Sequence, residues 1–193
     1  DWLTLFSVKN VYISCHYLSE QFLILEEASD RHFSVKVIEE PEALGTGGAI
    51  AYCENFIPDG NILVLNGDTF YRFSLDQFYQ FAKKSDKPVS LALSRQSSCD
   101  GFKPFIFTEG KFLRIGKVGE VKGNGFVSTG CIYLKVKGMQ YAGLKSFSFE
   151  NDLLPNLIAK NMVDFYFVDG VDQFHDIGTL DRLEQFSDYF GEI

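Results

Sequence analysis

The spacing of hydrophobic residues switches repeatedly along this chain, and each switch marks an element. Val11 to Cys15 is a mostly apolar run and predicts a buried strand. Ser19 to Ser29 has helical spacing. Phe33 to Glu39 alternates apolar and polar residues, the period of a strand with one solvated face. Pro41 and the run Gly45-Thr46-Gly47-Gly48 predict a loop, followed by a helix over Ala49 to Phe56. Between turn signals, Asn61 to Asn66 holds a continuous apolar stretch, the pattern of a central parallel strand covered on both faces. Leu75 to Lys84 predicts an amphipathic helix, and Val89 to Ser94 another strand.

After residue 94 the pattern changes. Residues 103–137 predict short strands joined by glycine-rich turns, with no helix among them. Phe149 to Lys160 returns to helical spacing, Asp164 to Val168 reads as a strand, and Leu180 to Phe190 as a closing helix. Alternation of strand and helix in the first half predicts an α/β fold, a Rossmann-like and mostly parallel sheet flanked by helices. The β-rich middle predicts a small antiparallel layer over one edge. A length of 193 residues fits one domain spanning residues 1–193, and neither repeats nor a linker interrupt it.

The opening residues have a separate meaning. Asp1 to Phe6 is apolar at helical spacing and runs directly into the first strand, without an initiator Met or an N-cap before Trp2. A domain rarely opens partway through a helix, so the expectation is that an upstream segment is missing.

Composition narrows the function classes. Lys and Arg are scattered through a chain of formal net charge −8, which speaks against nucleic acid as a partner. It leaves small phosphorylated ligands open, because a divalent cation held by carboxylates supplies positive charge. Cys15, Cys53, Cys99 and Cys131 lie far apart and form no C-x-x-C pair or zinc spacing. No apolar run approaches the ~20 residues that cross a bilayer, and no signal peptide opens the chain. The expectation is a cytoplasmic protein in a reducing compartment, with no membrane partner. The twenty Phe and nine Tyr suggest a well-packed core, with room for an aromatic-lined pocket.

Three motifs carry chemistry. Leu65-Asn66-Gly67-Asp68 stands where a buried strand ends, the place where ligands bind in open α/β sheets. Gly67 admits a ligand close to the backbone, and Asp68 is a hard oxygen donor suited to Mg²⁺. A turn aspartate capping the next element explains the same residues equally well. Leu44-Gly45-Thr46-Gly47-Gly48-Ala49 is a glycine-rich turn ahead of a helix, open to a nucleotide but matching neither G-x-G-x-x-G nor a Walker A loop. A tight turn with Thr46 as cap is the bland alternative. In His175-Asp176-Ile177-Gly178-Thr179, Asp176 is a candidate second carboxylate for the same metal and Thr179 a helix N-cap. His175 reads as a structural histidine before it reads as a ligand.

These motifs, together with Ser128-Thr129-Gly130-Cys131-Ile132-Tyr133 and Phe147-Ser148-Phe149-Glu150-Asn151-Asp152 between them, resemble in their order the sugar-1-phosphate nucleotidyltransferases. The likeness covers essentially the whole chain and is nearest to the D-glycero-α-D-manno-heptose 1-phosphate guanylyltransferase type. It implies the nucleotide-diphospho-sugar transferase fold. It also implies Mg²⁺-dependent transfer of a nucleotidyl group, GMP favoured, from a nucleoside triphosphate to a heptose- or hexose-1-phosphate. The setting it implies is nucleotide-sugar synthesis for lipopolysaccharide or capsule. Carried over residue by residue, Leu44, Gly45, Thr46 and Gly67 would lie along the nucleotide. Asp68 and Asp176 would hold the metal, and Gly130, Glu150 and Lys103 would face the sugar. Lys117, within Arg114 to Lys122, would meet the sugar phosphate in place of the family's Glu-Lys-Pro, with Lys122 as the alternative.

Two departures qualify the likeness. The family's N-terminal strand and its glycine-rich loop with Arg and Pro-Lys, which wraps the triphosphate, have no counterpart in these residues. The family's Tyr-Gly stands here as Asp100-Gly101-Phe102-Lys103. Two rivals follow. One is a non-catalytic nucleotide- or sugar-phosphate-binding module, favoured if the gene upstream of Asp1 lacks the triphosphate loop. The other is a glycosyltransferase with a related sheet, whose usual Asp-x-Asp is replaced here by Asp68-Thr69-Phe70. Neither the base, the sugar nor the oligomeric state is written in the sequence.

Overall fold

In chain order the strands are β1 (Asn10–Cys15), β2 (Ser34–Glu39), β3 (Ile62–Val64), β4 (Thr69–Tyr71), β5 (Val89–Gln96), β6 (Pro104–Thr108), β7 (Lys111–Ile115), β8 (Gly125–Leu134), β9 (Val163–Val171) and β10 (Phe174–Asp176). The helices are α1 (Ile24–Glu27), α2 (Gly45–Cys53), α3 (Leu75–Lys84), α4 (Leu154–Ala159) and α5 (Leu180–Phe190). A 3₁₀ turn over Ser19–Phe22 precedes α1, and a π-helical turn over Phe149–Leu153 precedes α4. This computed structural model describes residues 3, 6, 8–27, 32–58, 60–135 and 145–190. The helix expected at residues 1–6 lies outside the described residues apart from Leu3 and Phe6, as do residues 28–29 and 136–137 of other expected elements.

The chain divides into two compact units. One comprises Asp1–Gly60 and Val136–Asn161, the other Asn61–Lys135 and Met162–Ile193. In the first, β1 and β2 pair in parallel, with Val11 opposite Val35 and Ile13 opposite Val37. Helix α2 packs on β1 and on the π-helical turn. It begins at Gly45, four residues before the expected start. Its early amides find an acceptor that sequence alone does not reveal, since Gly47 N and Gly48 N donate to the Phe147 carbonyl at 2.9 and 3.3 Å.

The second unit is built on a mixed sheet in the order β7-β6-β8-β5-β9, with β3 paired to β8. Strands β5 and β9 run parallel, whereas β8 is antiparallel to β3, β5 and β6. Antiparallel pairing therefore reaches the middle of the sheet and is not confined to an edge. Strand β3 shows why the sequence did not reveal this: a continuous apolar run reports cover on both faces and says nothing of strand direction.

Val89, Leu91, Ala92 and Leu93 of β5 are fully buried. Helix α3 packs on β5 and β9 and buries Phe78 and Ala82 completely. Removing Phe78 from water contributes roughly 2 kcal/mol. Ser74 caps the start of α3, its hydroxyl accepting from Gln77 N, and Lys83 and Lys84 complement the negative end of the helix. On the sheet, Phe105, Phe107, Phe112, Phe126, Phe165 and Phe167 form one layer of mostly edge-to-face rings, 4.9 Å apart at the closest, Phe126 to Phe167.

Candidate active site

The short ribbon of β4 and β10 builds the centre of the second unit's site. The two strands are antiparallel, with Thr69 opposite Asp176 and Tyr71 opposite Phe174. Asp68 immediately precedes β4 and Asp176 ends β10, so both acids emerge at the same end of the ribbon. Ile177 N donates to the Asp68 carbonyl at 2.8 Å and closes that end. Both side chains then turn to one point. A Cβ placed on Gly178 would lie 2.6 Å from Asp68 Oδ2 and 3.2 Å from Asp176 Oδ1. Two residues more than a hundred positions apart thus share one cradle, and a side chain at Gly178 would have to displace the Asp68 carboxylate.

The surroundings of Asp176 are more elaborate than the sequence suggested. Gly178 N donates to its Oδ1 at 2.9 Å, and Arg182 Nη1 donates to its Oδ2. The guanidinium of Arg182 also lies 5.4 Å from the centre of the Phe102 ring, and its Nη2 would be 2.9 Å from a Cβ on Gly101. Phe102 in turn meets Phe174 edge-on at 5.7 Å. One arginine therefore ties the loop of Gly101, Phe102 and the exposed Lys103 to the carboxylate end of β10. Sequence reasoning missed Arg182. Its only local signal is its place three residues after the cap Thr179, whose hydroxyl accepts from Arg182 N at 3.3 Å.

His175 packs its ring against Phe186, with centroids 5.6 Å apart, and burial pushes its pKa below the usual value. That matches the structural role expected for it. Asn66 N donates to the hydroxyl of the buried Tyr71, and its side-chain amide presses on Gly130. Gly130 has φ +72°, and a Cβ there would fall 2.3 Å from Asn66 Nδ2, so Asn66 braces β8 where its register with β5 shifts. Gly67 differs: nothing lies within 4 Å of the place a Cβ would take, so no protein atom demands glycine there.

Lys117 and Lys122 are exposed on the turn after β7. That turn is braced by a two-pronged ion pair from Arg114 to Glu120, and Lys117 N donates to Glu120 Oε2 at 2.8 Å. The Arg114 guanidinium pulls the Glu120 carboxyl down to about 2.

The first unit holds the other predicted residues. Leu44 is buried, with its amide donating to Glu40 Oε2 at 3.1 Å and its carbonyl accepting from Phe147 N at 2.9 Å. Glu40, also buried, accepts a second bond from Ser14 Oγ and so fixes the entry to α2. Gly45 and Thr46 are exposed, as is Glu150 in the π-helical turn. Neither Glu40 nor Phe147 was marked as part of the site by the sequence, because both act on the glycine-rich turn from positions remote in the chain or hidden in the core.

Asp68 and Asp176 are hard donors at the mouth of a strand ribbon, and both retain lone pairs beyond the hydrogen bonds described. They suit Mg²⁺, which takes one or two carboxylates and completes its shell with water and phosphate oxygens. Among the described residues no group of three or more His, Cys, Asp or Glu is arranged so that it could hold a metal ion. No helix among them is long and apolar enough to cross a membrane.

The nucleotidyl transferase family model matches residues 4–191. The chain belongs to the nucleotidyl transferase family. It is 31% identical over 177 residues to the D-glycero-alpha-D-manno-heptose 1-phosphate guanylyltransferase of Campylobacter jejuni subsp. jejuni, covering 88% of this chain and 76% of that protein. Among solved structures it is similar to HddC from Yersinia pseudotuberculosis, with TM-score 0.76 and 23% identity over 95% of this chain and 80% of that one. The same protein complexed with GMP-PN gives 0.69 and 24% over 93% and 77%. At that identity the structural likeness shows the fold. The expected α/β class, with a central sheet flanked by helices, is borne out, as is the resemblance to the sugar-1-phosphate nucleotidyltransferases and the enzyme class.

Proposed function

We propose that this nucleotidyl transferase moves a nucleoside monophosphate, GMP in preference, from a nucleoside triphosphate to a heptose- or hexose-1-phosphate in an Mg²⁺-dependent reaction that releases pyrophosphate. The convergence of Asp68 and Asp176 on Gly178 carries the reading. The name of the Campylobacter relative supports a heptose 1-phosphate and guanylyl transfer, and the GMP-PN complex of HddC supports a guanine nucleotide.

The chemical problem is the meeting of two phosphates, both anionic. A Mg²⁺ ion held by Asp68 and Asp176 would neutralise charge on both and favour in-line displacement. The protein's own residues then orient. Gly67, with open space beside it, leaves room for a phosphate or ribose to approach the backbone. Gly45 and Thr46 offer exposed positions to the nucleotide at the entry to α2, while Leu44 fixes that entry from within the core. The Lys117 ammonium, on a turn stiffened by Arg114 and Glu120, meets the sugar phosphate. Glu150 and Lys103 face sugar hydroxyls, with Gly130 set by Asn66. No protein nucleophile or base is needed, because a sugar phosphate is already ionised at neutral pH.

The test is a pyrophosphate-release screen of the complete protein, since residues 1–193 alone lack the expected triphosphate loop, with four nucleoside triphosphates against mannose 1-phosphate, glucose 1-phosphate and a heptose 1-phosphate. Release that requires Mg²⁺, GTP and one of these sugars is the expected result. No release with any pair would sink the reading.

A further inference from the structure

We propose that Thr46, standing in the turn assigned to the nucleotide, is a positioning residue for the sugar-binding Glu150. The inference rests on the transferase reading above and deepens it.

Its basis is the way two stretches about a hundred residues apart are fastened together. Thr46 Oγ1 accepts from Phe149 N at 2.9 Å. Phe149 is fully buried and starts the π-helical turn that carries Glu150 at its second position. Three backbone bonds run alongside: Phe147 N to the Leu44 carbonyl at 2.9 Å, and Gly47 N and Gly48 N to the Phe147 carbonyl. The glycines of the turn serve the same junction. A Cβ on Gly45 would stand 2.8 Å from the Phe147 carbonyl oxygen, one on Gly47 2.2 Å from the Phe147 ring, and one on Gly48 2.9 Å from the Lys145 carbonyl oxygen. The glycine-rich run is therefore a socket for Phe147. Two of its helix-start amides are spent on that segment and are not free for a phosphate.

Ser148 adds a local lock. Its hydroxyl accepts from Asn151 N at 3.2 Å, and its amide donates to Asp152 Oδ2 at 2.7 Å, the reciprocal arrangement of a capping box. With Ser148 and Thr46 both engaged, the turn that presents Glu150 has its first amides fixed from two sides. π-helical turns are rare and are found frequently at functional sites. The hydroxyl of Thr46 retains its own proton, so its acceptor role toward Phe149 does not compete with donation to a ligand.

The experiment is kinetics and amide exchange on Thr46→Val and Thr46→Ser, with mannose 1-phosphate and a heptose 1-phosphate as sugar probes. Thr46→Val should raise the sugar-phosphate KM about tenfold, in addition to any change in the nucleoside-triphosphate KM, and Thr46→Ser, which keeps the hydroxyl, should restore the sugar-phosphate KM. A rise confined to the nucleotide KM, or no change in either, would overturn the inference. Hydrogen–deuterium exchange gives a reading that needs no turnover. The Phe149 amide should be protected in the wild-type chain and in Thr46→Ser, and should exchange at least tenfold faster in Thr46→Val. Rapid exchange of that amide in the wild type overturns the positioning role. If the wild type releases no pyrophosphate with any substrate pair, the transferase reading fails while the exchange result still decides whether Thr46 holds the turn.

Discussion

Arg182 Nη1 donates to Asp176 Oδ2, so one of the two converging carboxylates already carries a protein cation. A metal bound at the proposed site would share Asp176 with a guanidinium that repels it. Replacing Arg182 by Gln removes that repulsion and frees an oxygen lone pair. The expected outcome is Mn²⁺ binding several-fold tighter, read by calorimetry. At the same time the tie from Asp176 to Phe102 is lost, so kcat should drop about tenfold with the sugar substrates. A pair near a partly exposed surface typically amounts to about 1 kcal/mol, which matches effects of this size.

Asp68→Asn and Asp176→Asn test the cradle directly. Each keeps the shape of the side chain and removes a charge. Turnover should fall by about a thousandfold, the scale of losing several kcal/mol of charge stabilisation at a metal. Both acids sit at a ribbon end and are not part of the core, so thermal unfolding should shift by no more than a few degrees. Circular dichroism melts alongside pyrophosphate release would separate the two effects.

Two glycines near this centre should respond in opposite ways. Gly67→Ala meets open space, so its stability should stay within about 0.5 kcal/mol of the parent, while activity should fall if the added methyl occupies the approach proposed above for the nucleotide. Gly130→Ala combines a left-handed backbone with a collision against Asn66, and should lose about 2 kcal/mol. Adding Asn66→Ala should recover part of that loss. Urea melts of the single and double variants give the coupling between the two residues.

Asp164 predicts an acid limb in stability. It pairs with Lys87 at 3.1 Å and accepts from Ser85 Oγ, linking β9 to the end of α3. Burial alone would raise its pKa, but Ser85 and Lys87 outweigh burial and hold it below the usual 3.8. A carboxylate with a lowered folded pKa stabilises above its unfolded value, and that contribution disappears as pH falls through the folded value. Asp164→Asn should therefore destabilise by about 1 kcal/mol at pH 7 and flatten the stability curve below about pH 4. Melting the two proteins from pH 2 to 7 checks both.

What the sequence revealed followed from short-range physics. Helix α3 was readable because its apolar stripe, Ser74 cap and terminal lysines all agree. Asp68 and Asp176 stood out because each follows an apolar run that ends in a turn. What it hid was long-range. The direction of β8 depends on partners that no local period encodes. The early start of α2 depends on the carbonyl of Phe147, about a hundred residues away. Arg182 reads as an ordinary surface arginine of an amphipathic helix until α5 is placed beside β10.

Each of the two compact units is assembled from separated stretches of chain, residues 1–60 with 136–161 and residues 61–135 with 162–193. Neither is therefore encoded by one continuous run of codons. A recombination event that exchanged the segment bearing Gly45 would leave behind the one bearing Phe147, and a swap of Asp68 would strand Asp176. Exchanging one continuous stretch of chain would therefore separate residues that each unit brings together.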